Sequence, residues 1–157
     1  SGGLLSANTI LQSDQTNAGL GVSVAGAGDT NGDGYDDVIA GARVYDVVFT
    51  DEGAVFEFLG GAAGIASGNP ASSNSTIRGD QFGAHLGISV AGAGDVNNDG
   101  FDDVVLGANS FDFEELDAGR AVVFLGGPFG IGAGTPSTAD GIASSVQAGA
   151  NLGISVA

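Results

Sequence analysis

The stretch Leu20-Gly-Val-Ser-Val-Ala-Gly-Ala-Gly-Asp29 returns almost unchanged as Leu86-Gly-Ile-Ser-Val-Ala-Gly-Ala-Gly-Asp95, and Leu152-Gly-Ile-Ser-Val-Ala157 begins it again, each start 66 residues after the last. Register holds through the rest of the unit: Gly53–Gly61 matches Gly119–Gly127, and Pro70 matches Pro136. A fixed period without insertions means that one supersecondary unit is used repeatedly and buries its faces against its own copies. Counted from the first residue, the units are 1–66, 67–132 and a third begun over 133–157.

Thirty glycines in 157 residues argue against long helices, because each glycine inside a helix costs about 1 kcal/mol relative to alanine. Short apolar runs divided by glycine and acidic turns read instead as antiparallel strands. Four fit each unit, over Gly21–Gly26, Asp37–Gly41, Ala54–Leu59 and Ser75–Gly79, with equivalents one period on. In the third, Ala54, Phe56 and Phe58 face one side while Val55, Glu57 and Leu59 face the other. A sheet with both faces largely apolar belongs between neighbours. The expected fold is therefore all-β: four-stranded antiparallel β-propeller blades, too long for solenoid coils of roughly 20 to 45 residues. The chain holds an incomplete propeller.

Composition narrows the function. Nineteen acids against three arginines and no lysine give a net charge of −16, a surface that repels nucleic acid and anionic membranes. Cysteine is absent, which removes disulfides, thiolate metal sites and thiol nucleophiles. No run approaches the roughly 18 apolar residues of a membrane helix. His85 is the only histidine, and no Ser, His and Asp arrangement resembles a catalytic triad, so no enzymatic activity is expected. A start at Ser1 and a stop inside a strand at Ala157 lead us to expect either a segment of a longer chain or a protomer completed by other copies.

The chemistry lies between the first two strands of each unit. Asp29-Thr-Asn-Gly-Asp-Gly-Tyr-Asp-Asp37 and Asp95-Val-Asn-Asn-Asp-Gly-Phe-Asp-Asp103 place side-chain oxygens at loop positions 1, 3, 5 and 9. Calcium takes six to eight oxygens at roughly 2.3–2.6 Å, and alternate residues of a tight loop aim theirs at a common centre. The expected ligands are Asp29, Asn31, Asp33 and Asp37 with the Tyr35 carbonyl, and Asp95, Asn97, Asp99 and Asp103 with the Phe101 carbonyl: two calcium sites. Gly34 and Gly100 stand where the chain must turn at positive φ. An EF-hand would need an acid at position 12, where this chain has Ala40 and Leu106. Strand-forming Val38-Ile39 and Val104-Val105 follow instead. The eighth residues, Asp36 and Asp102, leave the inward alternation and are expected to supply no ligand.

These residues resemble the FG-GAP repeats of integrin α-subunit propellers and their bacterial relatives. Phe82-Gly83, the loop Asp95–Asp103 and Gly107-Ala108 carry the resemblance, with Gly41-Ala42 in the earlier copy. Thr16-Asn17 and Ala148-Gly149 depart from it where Phe-Gly would align, and Arg43 or Asn109 replaces the proline after Gly-Ala. The resemblance implies a seven-bladed propeller, calcium in hairpin loops on one face, and adhesion or scaffolding outside the cell or at its surface, with a protein or glycan as ligand. A structural repeat of a surface layer or filament, or a propeller region accompanying an enzyme, is the alternative.

Overall fold

In a computed structural model, which describes residues 8–157, the chain forms two four-stranded antiparallel sheets. The first holds β1 (Leu20–Gly28), β2 (Asp37–Ala42), β3 (Ala54–Phe58) and β4 (Ser75–Arg78), paired in that order. The second repeats it with β5 (Leu86–Gly94), β6 (Asp103–Ala108), β7 (Arg120–Phe124) and β8 (Gly141–Ser144). Every strand lies where the periodicity predicts one. β1 runs to Gly28 rather than Gly26, because a register shift between Gly26 and Gly28 lets the hairpin pair once more, Gly28 with Asp37. Strand pairing also sets the frame of the unit: one blade spans 20–78 and the next 86–144, so each blade crosses the boundary of units counted from the first residue.

The core lies between the sheets. Ile39, Val55 and Ile77 of blade 1 meet Val104, Leu106, Val122 and Phe124 of blade 2, all buried, and each such side chain contributes roughly 1.5–3 kcal/mol on leaving water. Behind blade 1 a second cluster, Ala40, Ala42, Ala54, Phe56 and Phe58, is covered by Leu11, Leu20, Tyr45 and Ile65. Leu11 forms a parallel bridge to Gly68, as Ile77 does to Gly134 one period later. Residues 9–12 thus sit against blade 1 as β4 sits against blade 2.

Polar contacts from the segment that precedes each blade also recur. Gln81 clamps the main chain of Asp112, donating through Nε2 to its carbonyl and accepting its N–H, and Gln15 does the same to Asp46. Where Phe-Gly would be expected, Asn17 adopts φ 62°, close to the 66° of Gly83 and the 67° of Gly149. Asparagine is among the few residues that tolerate this left-handed conformation. The departure from the motif at Thr16-Asn17 therefore keeps the backbone turn.

Candidate metal centres

Both acidic loops close the innermost hairpin of their blade, between β1 and β2 and between β5 and β6. Their local geometry is the same. Asp29 accepts the Asp33 N–H at 3.0 Å and the Gly34 N–H at 2.8 Å, one on each carboxylate oxygen. Asp95 accepts the Asp99 and Gly100 N–H groups at 3.0 and 2.9 Å. Asn31 and Asn97 accept a second bond from the same Asp33 and Asp99 N–H groups. Asp33 and Asp99 in turn accept from Tyr35 N and Phe101 N at 3.0 Å. Gly34 and Gly100 take φ of 88° and 95°, a conformation that strains any side chain.

Asp37 and Asp103 close the set differently. Both are fully buried, and their carboxylates bind the loop to the sheet. Asp37 accepts Thr30 N–H and Gly60 N–H at 3.0 and 2.8 Å, and Asp103 accepts Val96 N–H and Gly126 N–H, both at 2.8 Å. A carboxylate offers about four lone-pair sites, so each retains acceptor capacity beyond these bonds.

The donor set fits a hard cation in kind, since oxygen is the only donor element that either loop offers. Among the described residues no three histidine or acidic side chains converge as a ready carboxylate cage. An ion here would draw on asparagine and main-chain oxygens as well as the acids. The residues of each predicted set lie in one loop. Asp29 and Asp33, with Asn31 between them, line its turn, while Asp37 sits beneath it.

Two features escaped sequence reading. Asp102, at the non-ligand eighth position, reaches across to the other blade and accepts the Asp29 N–H at 2.8 Å, while its own N–H donates to the Asp29 carbonyl at 3.1 Å. Nothing in the sequence separates it from Asp36, its equivalent. The second feature was visible: Glu57 and Thr30 break the repeat, standing where Val123 and Val96 occur. Glu57 is fully buried in the strand β3. It accepts from Thr30 Oγ1 at 2.8 Å, Asn74 Nδ2 at 2.6 Å and, from the other blade, Ile131 N–H at 2.9 Å. Thr30 Oγ1 also lies within hydrogen-bond distance of Asp37, yet it carries one hydrogen. Burial pushes the Glu57 carboxyl up, reinforced by the nearby Asp37 charge and opposed by the Ile131, Asn74 and Thr30 bonds.

The FG-GAP repeat family matches residues 20–58 and 86–124, which are the first three strands of each sheet with both acidic loops. The chain belongs to this family. Among curated proteins, integrin alpha-3 of Mus musculus is 36% identical over 109 residues, 69% of this chain and 10% of that protein. Integrin alpha-3 of Cricetulus griseus matches to the same extent, and integrin alpha-4 of Xenopus laevis is 33% identical over 82 residues, 52% of the chain and 8% of that protein. The chain thus spans about a tenth of the length of these relatives.

At the opposite end of these FG-GAP blades, the acids of the β2–β3 and β6–β7 loops turn inward on their own chain. Asp46 accepts Asp51 N–H and Asp112 accepts Asp117 N–H, at 2.7 and 2.8 Å. Glu52 is fully buried and accepts from Val47, Val48 and Phe49 N–H groups and from Asp80 N–H. His85 lies 3.4 Å from Ser110 Oγ. Burial first, then Arg43, holds its pKa below the usual histidine value, against the pull of Asp51 and Asp117.

Proposed function

We propose that this chain is a calcium-stabilised segment of an extracellular β-propeller that acts by binding a protein or glycan, not by catalysis. One observation carries the calcium reading: two loops, 66 residues apart, repeat the same set of acid and asparagine bonds to their own backbone, residue for residue. Each loop carries four carboxylates within nine residues, three of them in its ligand set, and among the described residues the salt bridges involve only Arg78, outside both loops. Like charges gathered so closely repel unless a cation offsets them. The ligands are Asp29, Asn31, Asp33, Asp37 and the Tyr35 carbonyl in one site, and Asp95, Asn97, Asp99, Asp103 and the Phe101 carbonyl in the other. Integrin relatives support the placement outside the cell and the binding role.

Further blades of the same repeat would complete the assembly. β1 faces outward with Val22 and Val24 at 47% and 57% exposure, which is apolar area of the kind that a neighbouring sheet covers. Calcium titration by calorimetry tests the reading. The expected result is two ions per chain, with one lost in Asp33→Ala and one in Asp99→Ala. A chain that binds no calcium, or variants that keep both ions, would overturn it.

A further inference from the structure

We propose that Asp102 couples the two calcium sites, so that an ion in loop 95–103 strengthens binding in loop 29–37. This rests on the calcium reading above and adds a direction to it. Asp102 stands between Phe101, whose carbonyl is a ligand of the second site, and Asp103, whose carboxylate is another. An ion held by both neighbours fixes the backbone of Asp102. That residue grips Asp29, the first ligand of the other loop, on both sides of its main chain: Asp29 N–H donates to Asp102 Oδ2 at 2.8 Å, and Asp102 N–H donates to the Asp29 carbonyl at 3.1 Å.

Two further contacts run the same way. Gly127 N–H donates to the Thr30 carbonyl at 3.0 Å. The Phe101 ring lies over Gly32, where a Cβ would be 2.8 Å from it. The approach of Asp102 is equally close: a Cβ on Gly28, at φ +75°, would stand 2.0 Å from its Oδ2. Gly94, the equivalent glycine of the second loop, has nothing within 4 Å among the described residues. Loop 29–37 is thus braced by loop 95–103. An ion in the second loop orders the brace, and the first loop then binds with less ordering left to do, which is positive coupling. Direct repulsion between two bound cations would give the opposite sign.

The test is a thermodynamic cycle on the 157-residue chain, titrated with calcium by calorimetry. Disabling the second site with Asp99→Ala is expected to weaken the remaining site roughly fivefold, the lower end of common coupling strengths. In an Asp102→Ala background the same substitution is expected to leave that site unchanged. Asp36→Ala, which removes the same charge from the same loop position without a cross-blade partner, serves as the matched control and is expected to keep the fivefold effect. If Asp102→Ala does not fold, the Asp29 amide resonance of Asp33→Ala protein gives a second readout: calcium entering the second loop is expected to shift it. An unchanged first-site affinity in Asp99→Ala protein, or an unmoved Asp29 amide, overturns the coupling while leaving both sites standing. No calcium uptake by the parent chain overturns the calcium reading and the coupling together.

Discussion

Strands β3 and β7 hold the same place in blades built from the same repeat, yet all five residues of β3 are buried, whereas in β7 only Arg120, Val122 and Phe124 are. Blade 1 has cover on both sides, from blade 2 and from residues such as Leu11 and Ile65. Blade 2 meets a full sheet on one side. The innermost strands differ in the opposite sense: β1 lies open where β5 is pressed against blade 1, so Val24 is 57% exposed and Val90, its equivalent, 6%. Burial in a repeat is set by the neighbour, not by the strand's own sequence. What the sequence does vary is chemistry at the interface. Blade 1 carries the polar group of Thr30, Glu57 and Asn74, where blade 2 has Val96, Val123 and Asp140. Blade 2 carries Arg120, stacked on Phe111 and Phe113 with 4.2 and 4.8 Å to the ring centroids, where blade 1 has Ala54.

The largest test of this difference converts blade 1 to the composition of blade 2. Glu57→Val strands Thr30, Asn74 and the Ile131 N–H in a dry interface and should cost about 3 kcal/mol in urea unfolding. Adding Thr30→Val should recover part of the loss, because removing both partners of a buried bond is far milder than removing one. A double variant no better than the single would mean that the polar group is not acting as a unit. Glu57 also separates the blades by pH. Its folded pKa is raised, so its stabilising contribution is full below the ordinary carboxylate range and fades as pH rises through the folded value. Glu57→Gln should lack that component when its pH–stability curve is compared with that of the parent.

Loss of a single bound ion comes next. Calcium at a hundredfold excess over its dissociation constant stabilises by about 2.7 kcal/mol per site. Chelation should therefore lower the melting temperature, and Asp33→Ala and Asp99→Ala should each abolish part of that response. An identical melting curve in chelator, on protein stripped of its metal, breaks the prediction.

A smaller effect contrasts the two eighth-position acids. Asp102→Ala removes a hydrogen bond to a charged group and should cost about 1.5 kcal/mol, while Asp36→Ala, exposed on the open side, should stay within roughly 0.5 kcal/mol of the parent. Equal losses would mean that the cross-blade bond contributes nothing measurable. The smallest is Arg120→Lys, which keeps the charge and gives up planar stacking on two rings, at about 1 kcal/mol or less.

Much of this was legible from periodicity alone. The eight strands, the blade pairing and the two acidic loops follow from apolar alternation and from where glycine and aspartate interrupt it, and all of those are local properties of the chain. Glu57 and Thr30 could have been flagged as breaks in the repeat, although only the fold shows that Ile131 of the other blade supplies a donor. Asp102 was illegible. It repeats as Asp36, and its role depends on which residue of another blade it meets, a relation that no spacing within one loop encodes. The Thr16-Asn17 departure was legible as a departure, but its harmlessness appears only in the φ of Asn17.

The close contacts of Gly41 and Gly107 have a consequence for curvature. A Cβ on Gly41 would fall 2.1 Å from the Gly87 carbonyl oxygen, and one on Gly107 would fall 1.9 Å from that of Gly153. The strands nearest these contacts, β1, β2, β5 and β6, are rich in glycine and alanine, whereas β3 inserts Phe56 and Phe58 and β7 inserts Arg120 and Phe124. Sheets separated by hydrogen-sized side chains at one edge and by aromatic ones at the other cannot lie parallel: they fan. The opening angle of that wedge is what determines how many such sheets complete a circle. A methyl group at Gly41 would widen the narrow edge and flatten the fan, so the blade number of a ring built from this repeat is governed by its smallest residues.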